Sequence, residues 1–428
     1  MKSRRRKRLA LKQAAVLMTS YLMGTIAMAL VTDDGIVNGV TSTIVHESAT
    51  QLTSYKADNV GSGDCNQWGG SPSRNNVHAS GSIPEEWDVG GFDRKTGEWK
   101  KDDAVNIKWV SAVGSQTYGN PVVANGQVYV GTNNGHGYIE RYPSNVDLGC
   151  LICFRESDGE FMWQHSSEKL PTGRVHDWPL QGICCAPLVE GERLWFVTSR
   201  GEVRCLDTKG FHDEENDGPY TEEKETGKRE ADVIWVFDMM KELGSSQHNM
   251  CSCSLTVWGD LLFVNTSNGL DESHINLPAP NAPSFFCMNK NSGEVYWTDK
   301  SPGTNILHGQ WSSPAVAELG GVVQAIFAGG DGWVYSFKAG QEKELLWKFD
   351  ANPKDSKWIL GGRGTRNNII ATPVIHEGKV FVAVGQDPEH GEGVGHLWCI
   401  DPNLRGDVSP TAVDKEREIR WNIVVSRP

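Results

Sequence analysis

The sequence predicts an all-β chain, a β-propeller of four-stranded antiparallel blades, and three observations predict it. Six tryptophans recur at wide, regular intervals, each closing a strand-like phrase: IKWVSAVG (Trp109), FMWQHSS (Trp163), VIWVFDMM (Trp235), VYWTDKSP (Trp297), LLWKFDAN (Trp347) and IRWNIVVS (Trp421). Between them a second phrase returns, a turn residue followed by an alternating apolar run: NPVVANGQVYVGT, APLVEGERLWFVTS, SLTVWGDLLFVNTS, SPAVAELGGVVQAIFAGG and TPVIHEGKVFVAVG. The 47 Gly and 19 Pro fit many turns rather than long helices. Self-similarity at a period of tens of residues means repeated supersecondary units. A parallel solenoid fits less well, because its repeats are shorter and lack internal hairpins.

Each repeat parses into four strands, taken here as A to D. Strand A follows an anchor at Pro121, Pro187, Leu255, Pro314 or Pro373, spaced by 66, 68, 59 and 59 residues. Strand B is the β-branched and aromatic run after the Gly turn, as in QVYVGT. Strand C begins near a small residue: Cys153, Cys205, Cys287, Ser336 and Cys399 hold the same place in successive repeats. Strand D ends at the tryptophan. The blades then cover about 114–165, 174–238, 247–299, 305–350 and 364–423. Four antiparallel strands per repeat about a central channel define a propeller.

The phrases CFRESDGEFMW and CMNKNSGEVYW set a Gly shortly before a Trp. They resemble the tryptophan-docking repeat of quinoprotein-type propellers, in which each indole is sandwiched between neighbouring blades. WGGSPSRNN, GQWSSPAV, GGDGWVYSF and GQDPEHGEGVGHLWCIDP strengthen the likeness. The chain from about Asp64 to Pro428 is similar to the exported bacterial PQQ-repeat-like propellers. Those are related in scaffold to the propeller subunit of the outer-membrane barrel-assembly machinery. The resemblance implies seven or eight blades, with an N-terminal strand completing the last. Here IKWVSAVG supplies a lone outer strand and five repeats follow, so an incomplete ring is expected. The alternative is a five-bladed ring with that strand packed outside it.

The N-terminus reads as an export signal. A basic stretch, Arg4 to Arg8, precedes an apolar run from Ala14 to Val31, with Ala27 and Ala29 at the small-residue positions of a cleavage site. An uncleaved membrane anchor is the alternative. Residues 1–29 are thus signal or anchor, 30–63 a Ser/Thr/Asp/Gly-rich linker, and 64–428 the propeller, in the periplasm or outside the cell. The net charge of −13 argues against nucleic acid, whose phosphates need clustered Lys and Arg. Ten cysteines in an exported chain invite disulfides. The repeat register argues that those in strand C are small core residues instead.

Propeller topology sorts the loops. Those joining D to A and B to C share one face. On it fall the D–A loops 115–120, 172–183, 246–253, 304–312 and 362–368, with the B–C loops TNNGHGY, TSNGLDESHINLPAPNAP, GGDG and GQDPEHGEGVGH. This face collects His176, Asp177, Trp178, Gln181, His248, His308, Trp311, Arg363, Arg366 and Asn367 as candidate ligand-binding residues. The bland reading is that they hydrogen-bond the loops to one another.

Three further constellations carry chemistry in principle. Cys184 and Cys185 are adjacent, as are the cysteines that form a disulfide beside the cofactor in quinoprotein alcohol dehydrogenases, though the flanking residues differ. The alternative is a pair of reduced, buried thiols. Asp387, Glu389, His390, Glu392 and His396 crowd one glycine-rich hairpin and form a metal candidate, against the reading of a polar hairpin tip. Asp213, Glu215 and Asp217 alternate ahead of Gly218, which echoes the opening of a calcium loop. Lys224 stands where an EF-hand has its bidentate Glu, so the alternative is a solvated acidic insert. The function read from all this is an exported binding or scaffold propeller for a protein or glycan partner of the cell envelope. The alternative is a dehydrogenase dependent on pyrroloquinoline quinone and Ca²⁺, for which Asp177 and Trp178 or Trp311 are the nominees.

Overall fold

In the computed structural model, the described residues are 63–77, 84–385 and 395–410, with short strands at 31–32, 35–36 and 424–425. The chain divides into two compact units, Met1–Ser54 and Tyr55–Pro428. In the first, Val31–Thr32 (β1) pairs with Gly35–Ile36 (β2). The segment 1–29 expected to be a signal or anchor, most of the expected linker and Trp421 lie outside the described residues. Among the described residues no helix is long and apolar enough to cross a membrane.

The second unit is a propeller. A small hairpin, Gly91–Phe92 (β3) with Trp99–Lys100 (β4), precedes the blades. Blade one is Val122–Ala124 (β5), Gln127–Asn133 (β6), Leu148–Arg155 (β7) and Phe161–Glu168 (β8). Blade two is Leu188–Glu190 (β9), Arg193–Val197 (β10), Glu202–Asp207 (β11) and Val233–Asp238 (β12). Blade three is Thr256–Trp258 (β13), Leu261–Asn265 (β14), Phe285–Asn289 (β15) and Val295–Asp299 (β16). Blade four is Ala315–Leu319 (β17), Val322–Ala328 (β18), Trp333–Lys338 (β19) and Leu345–Asp350 (β20). Blade five has Val374–His376 (β21), Lys379–Val384 (β22) and His396–Ile400 (β23). Strands β14 and β18 are buried almost end to end, because neighbouring sheets cover both faces of a blade. That is why LLFVN and VVQAIFA read as continuous apolar runs rather than strict alternation.

The repeat register seen in the sequence is a ladder register in space. Cys153 pairs with Trp163, Cys205 with Trp235, Cys287 with Trp297 and Ser336 with Trp347. Each pair is followed at once by a β-bulge. A small side chain leaves room for the indole across the ladder, and the bulge re-aims the outer strand.

The indoles then lock blade to blade. Trp163 Nε1 donates to the Thr208 carbonyl at 3.0 Å, Trp235 Nε1 to Lys290 at 3.2 Å, and Trp297 Nε1 to Gly340 at 3.0 Å. Each acceptor lies on the C–D turn of the following blade. Trp109 makes the same contact with blade one, donating to Glu156 at 2.7 Å. A Cβ on Gly159 would sit 2.5 Å from the Trp109 ring, and one on Gly293 3.2 Å from that of Trp235. The ring needs a glycine turn to lie flat against. Residues 107–113 carry no ladder partner among the described residues, and Val105 just before them pairs back to Asp88. Trp109 nevertheless docks as an outer-strand indole does.

Blade five departs from the others. After β23 the chain turns at Asp401, whose Oδ1 accepts from Asn403 N at 3.1 Å, and crosses to the outer edge of blade four. There Gly406–Asp407 (β24) pairs in parallel with β20, so blade four has five strands. Val424–Val425 (β25) pairs in parallel with β23 where the repeat pattern expects an antiparallel strand. An unpaired edge accepts whatever backbone reaches it. Trp347 also differs: its Nε1 donates to Gln324 Oε1 at 2.8 Å, and Gln324 Nε2 passes the link on to Pro402 of blade five at 3.1 Å.

The sheets circle a common axis, and one peptide shows it. Cys65 forms a two-way backbone pair with Val123 of β5, at 2.9 and 3.0 Å. Asn66 accepts from Val189 N of β9 at 2.9 Å, and Gln67 Oε1 from Thr256 of β13 at 3.3 Å. Pro72 accepts from Val316 of β17 and Ser73 from Ile375 of β21, both at 2.8 Å. Nine residues therefore touch the first strand of all five blades. Only sheets fanned about this peptide, first strands inward, allow that.

Candidate functional site

At the hub, Arg74 is 3% exposed and its guanidinium is spent on acceptors. Nε donates to Pro314 O at 2.9 Å, Nη2 to Ser254 O and Leu255 O at 2.8 Å each, and Nη1 to Trp68 O at 2.6 Å. Burial pushes its pKa down to about 9. The residues about the axis are thus bound to one another.

On the D–A and B–C face, the sequence-predicted residues separate into two groups. Most are engaged within the loops. Asp177 is buried, paired with Lys169 Nζ and accepting from Leu170 N at 3.0 Å. The Arg174 guanidinium lies 3.8 Å over the Trp178 ring. Gln181 Nε2 donates to Gln116 Oε1 at 2.7 Å, and His176 Nε2 meets Ser246 Oγ at 3.1 Å. Arg366 ion-pairs with Asp350 at 2.7 Å, while Asn367 and Asn352 exchange two hydrogen bonds of 2.8 Å. Arg363 is exposed.

The second group converges. His248 and His308, from successive D–A loops, meet His274 from the B–C loop between them. Ring centroids are 4.4 Å apart for His248–His308, 4.9 Å for His248–His274 and 4.7 Å for His274–His308. Trp311 closes one side, 5.1 Å from His308 and 5.8 Å from His248, and donates Nε1 to the His248 carbonyl at 3.4 Å. The loop backbones are knitted beneath them. His248 N donates to Ser267 O at 3.1 Å, Gly269 N to Ser246 O at 2.9 Å, and Leu270 N to His308 O at 2.8 Å. A Cβ on Gly269 would lie 2.6 Å from the His308 carbonyl, so these loops approach closely only because that residue is glycine. His248 Nδ1 sits 2.7 Å from Leu270 O, and its Nε2 is buried without a hydrogen-bond partner. Burial first, then the neighbouring imidazoles, pushes the His248 pKa down to about 3, so the ring is neutral at neutral pH. The sequence reading passes over His274. Its signal is its place in TSNGLDESHINLPAPNAP, a loop already assigned to the face that carries His248 and His308.

The other constellations fall elsewhere. Cys184 and Cys185 are free thiols: Cys185 Sγ approaches Val197 O at 3.1 Å, and Cys184 Sγ faces Met250 Sδ at 3.2 Å. Asp217 ion-pairs with Arg193 at 2.9 Å, Asp213 lies 3.8 Å from Lys209, and Glu215 N donates to Asp213 Oδ1 at 3.2 Å. Asp387, Glu389, His390 and Glu392 lie outside the described residues. His396 stacks on Trp398 at 5.7 Å.

No family model matches the sequence, and no curated protein matches it. Among solved structures, the chain is similar to a quinohemoprotein alcohol dehydrogenase from Comamonas testosteroni, at 11% identity and a TM-score of 0.48, covering 84% of this chain and 69% of that one. It is also similar to BamB from Moraxella catarrhalis, at 12% identity and a TM-score of 0.31, covering 68% and 74%. A quinohemoprotein alcohol dehydrogenase from Pseudomonas putida HK5 matches at 10% identity and a TM-score of 0.42, covering 82% of this chain and 48% of that one.

Proposed function

We propose that this chain is an exported binding propeller that takes a protein or glycan partner of the cell envelope on its D–A and B–C loop face. The observation that carries this reading is the hub. The peptide from Cys65 to Arg74 runs along the axis and spends its polar groups on all five blades. A quinone and its Ca²⁺ would need ligands converging on that axis, and the nominated residues are engaged elsewhere, Trp311 against His248 and His308 among them. Asp177 is bound to Lys169, Trp178 is covered by Arg174, and Cys184 and Cys185 each face other partners. What remains, among the described residues, is a face of hydrogen-bonded loops whose outer side chains, such as Arg363, are exposed. Rigid loops on a scaffold suit recognition.

Photo-cross-linkers placed at Arg363 on this face and at Glu294 on the opposite face test the proposal in envelope extracts. A discrete adduct is expected from position 363 and none from 294. Adducts from neither position, or from 294 alone, would remove the binding-face reading. Saturable uptake of pyrroloquinoline quinone with Ca²⁺, followed by alcohol-dependent dye reduction, would replace it with the dehydrogenase.

A further inference from the structure

We propose that His248, His274 and His308 together bind one divalent first-row transition metal ion, each through a single imidazole nitrogen, in the coordination chemistry of Zn²⁺. The donor atoms all lie within 4.8 Å of one another. A tetrahedral ion with Zn–N bonds of about 2.0–2.1 Å places its nitrogens about 3.4 Å apart, so binding requires only that three side chains close slightly.

Four independent features fit an ion. First, His248 is fully buried, and its Nδ1 is held by the Leu270 carbonyl at 2.7 Å. That bond leaves Nδ1 carrying the proton and turns the Nε2 lone pair inward, the outer-partner arrangement by which proteins orient ligating histidines. Nε2 itself has no hydrogen-bond partner although it is buried. Second, the ligands come from three loops joined by backbone hydrogen bonds, so the site is pre-formed rather than gathered from mobile tips. Third, His274 holds a left-handed backbone, φ +57°. A non-glycine residue in that region is strained, and such strain concentrates where a side chain must be aimed. Fourth, all the donors are imidazoles, which suit zinc, copper or nickel rather than calcium or magnesium. Asp271, whose charge acts on His248, adds a field favourable to a cation. Three protein ligands leave a tetrahedral ion one position for water or another ligand. His274 is only half-buried, which gives an ion a way in.

The inference does not rest on the partner-binding proposal, and its test is separate. The full chain is dialysed against Zn²⁺ alone and its metal content measured, with Co²⁺ as a spectroscopic substitute. About one equivalent of Zn²⁺ should be retained, and Co²⁺ should give the visible absorption of a tetrahedral nitrogen site without a thiolate band. The diagnostic variant is His274→Asn, because asparagine tolerates the left-handed backbone that alanine does not. It should fold as the wild type does, by tryptophan fluorescence, and lose affinity by at least about 100-fold, the upper end of what even a lost outer partner causes. Failure of the wild-type chain to retain Zn²⁺ or Co²⁺ would overturn the proposal. So would unchanged binding by His274→Asn, or a Co²⁺ spectrum with thiolate ligation.

Discussion

Arg74 and Leu255 stand 181 residues apart in the chain and are joined at the hub by a 2.8 Å hydrogen bond from Nη2 to the carbonyl oxygen. The same guanidinium reaches Ser254 and Pro314, so one side chain ties the entrances of blades three and four to the axial peptide. Its donors fork in a plane, which is how one cation can serve carbonyls on two blades at once.

Removing that side chain sets two effects against each other. Arg74→Leu abolishes the cost of burying a charge, which favours the variant. It also leaves the carbonyls of Ser254, Leu255 and Pro314 without their donor, at about 1–3 kcal/mol each. The second effect wins, and a net loss of about 3–5 kcal/mol in urea unfolding is expected. Arg74→Lys should recover part of it, since an ammonium offers three donors but cannot span the same fork. A leucine variant as stable as wild type would show that the hub does not hold the blades.

Two glycines with matched backbones isolate the docking contact. Gly159 has φ +75° and Gly126 φ +74°, but a Cβ at 159 would lie 2.5 Å from the Trp109 ring, whereas nothing lies within 4 Å at 126. Alanine at either site carries the left-handed cost of about 1–2 kcal/mol. Gly159→Ala should cost about 1–3 kcal/mol more, as overpacking does. Equal losses in the two variants would mean that Trp109 yields freely and locks nothing.

What could be read from the sequence was what repeats. The small residue opposite each indole is visible because Cys153, Cys205, Cys287 and Ser336 recur in phase with Trp163, Trp235, Trp297 and Trp347, and the fold needs both volumes. The hub peptide was not readable as such. Cys65 and Val123, or Ser73 and Ile375, are distant in sequence and meet only through the way the blades fan about the axial peptide, and no local pattern announces that pairing. The transfer of Gly406–Asp407 to blade four was equally hidden, since it depends on which edge stands unpaired. At the candidate site, loop sorting brought His248 and His308 to one face. Which of the many polar residues there would converge depended on Gly269 and on backbone bonds between loops.

All ten cysteines are free thiols, and burial should keep most of them unreactive. It pushes Cys184 up to about 12 and Cys251 up to about 11. At pH 8 the thiolate fraction of Cys184 is then about 1000-fold below that of an ordinary exposed cysteine. Ellman's reagent should therefore reach half-buried Cys65 and Cys399 first, and the remainder only in denaturant. The mass of the native chain should not change on reduction. A loss of two hydrogens assigned to Cys184 and Cys185, or rapid labelling of Cys184 in the folded protein, would contradict this reading.

The pH dependence of stability should show two buried groups pulling in opposite directions. Asp331 in the B–C turn of blade four is raised to about 6 by burial, while its Oδ2 accepts from the Tyr335 hydroxyl at 2.6 Å. The folded chain therefore keeps a proton that the unfolded chain releases near pH 4. This contribution is fully present below the unfolded pKa and is lost as pH rises through 6, amounting to about 3 kcal/mol at most. His248, lowered to about 3, acts in the reverse sense: its contribution is present above about 6.5 and is lost as pH falls through 3. The wild-type curve between pH 4 and 6 sums these two with other buried groups such as Asp207 and Asp232, which burial also raises to about 6, so the difference from Asp331→Asn is the quantity to measure. Asparagine keeps an acceptor for Tyr335 and cannot titrate. The stability of wild type minus that of the variant should decline by about 2–3 kcal/mol from pH 4 to pH 7. A difference that stays flat or grows with pH would show that the Asp331 carboxyl ionises freely inside the fold.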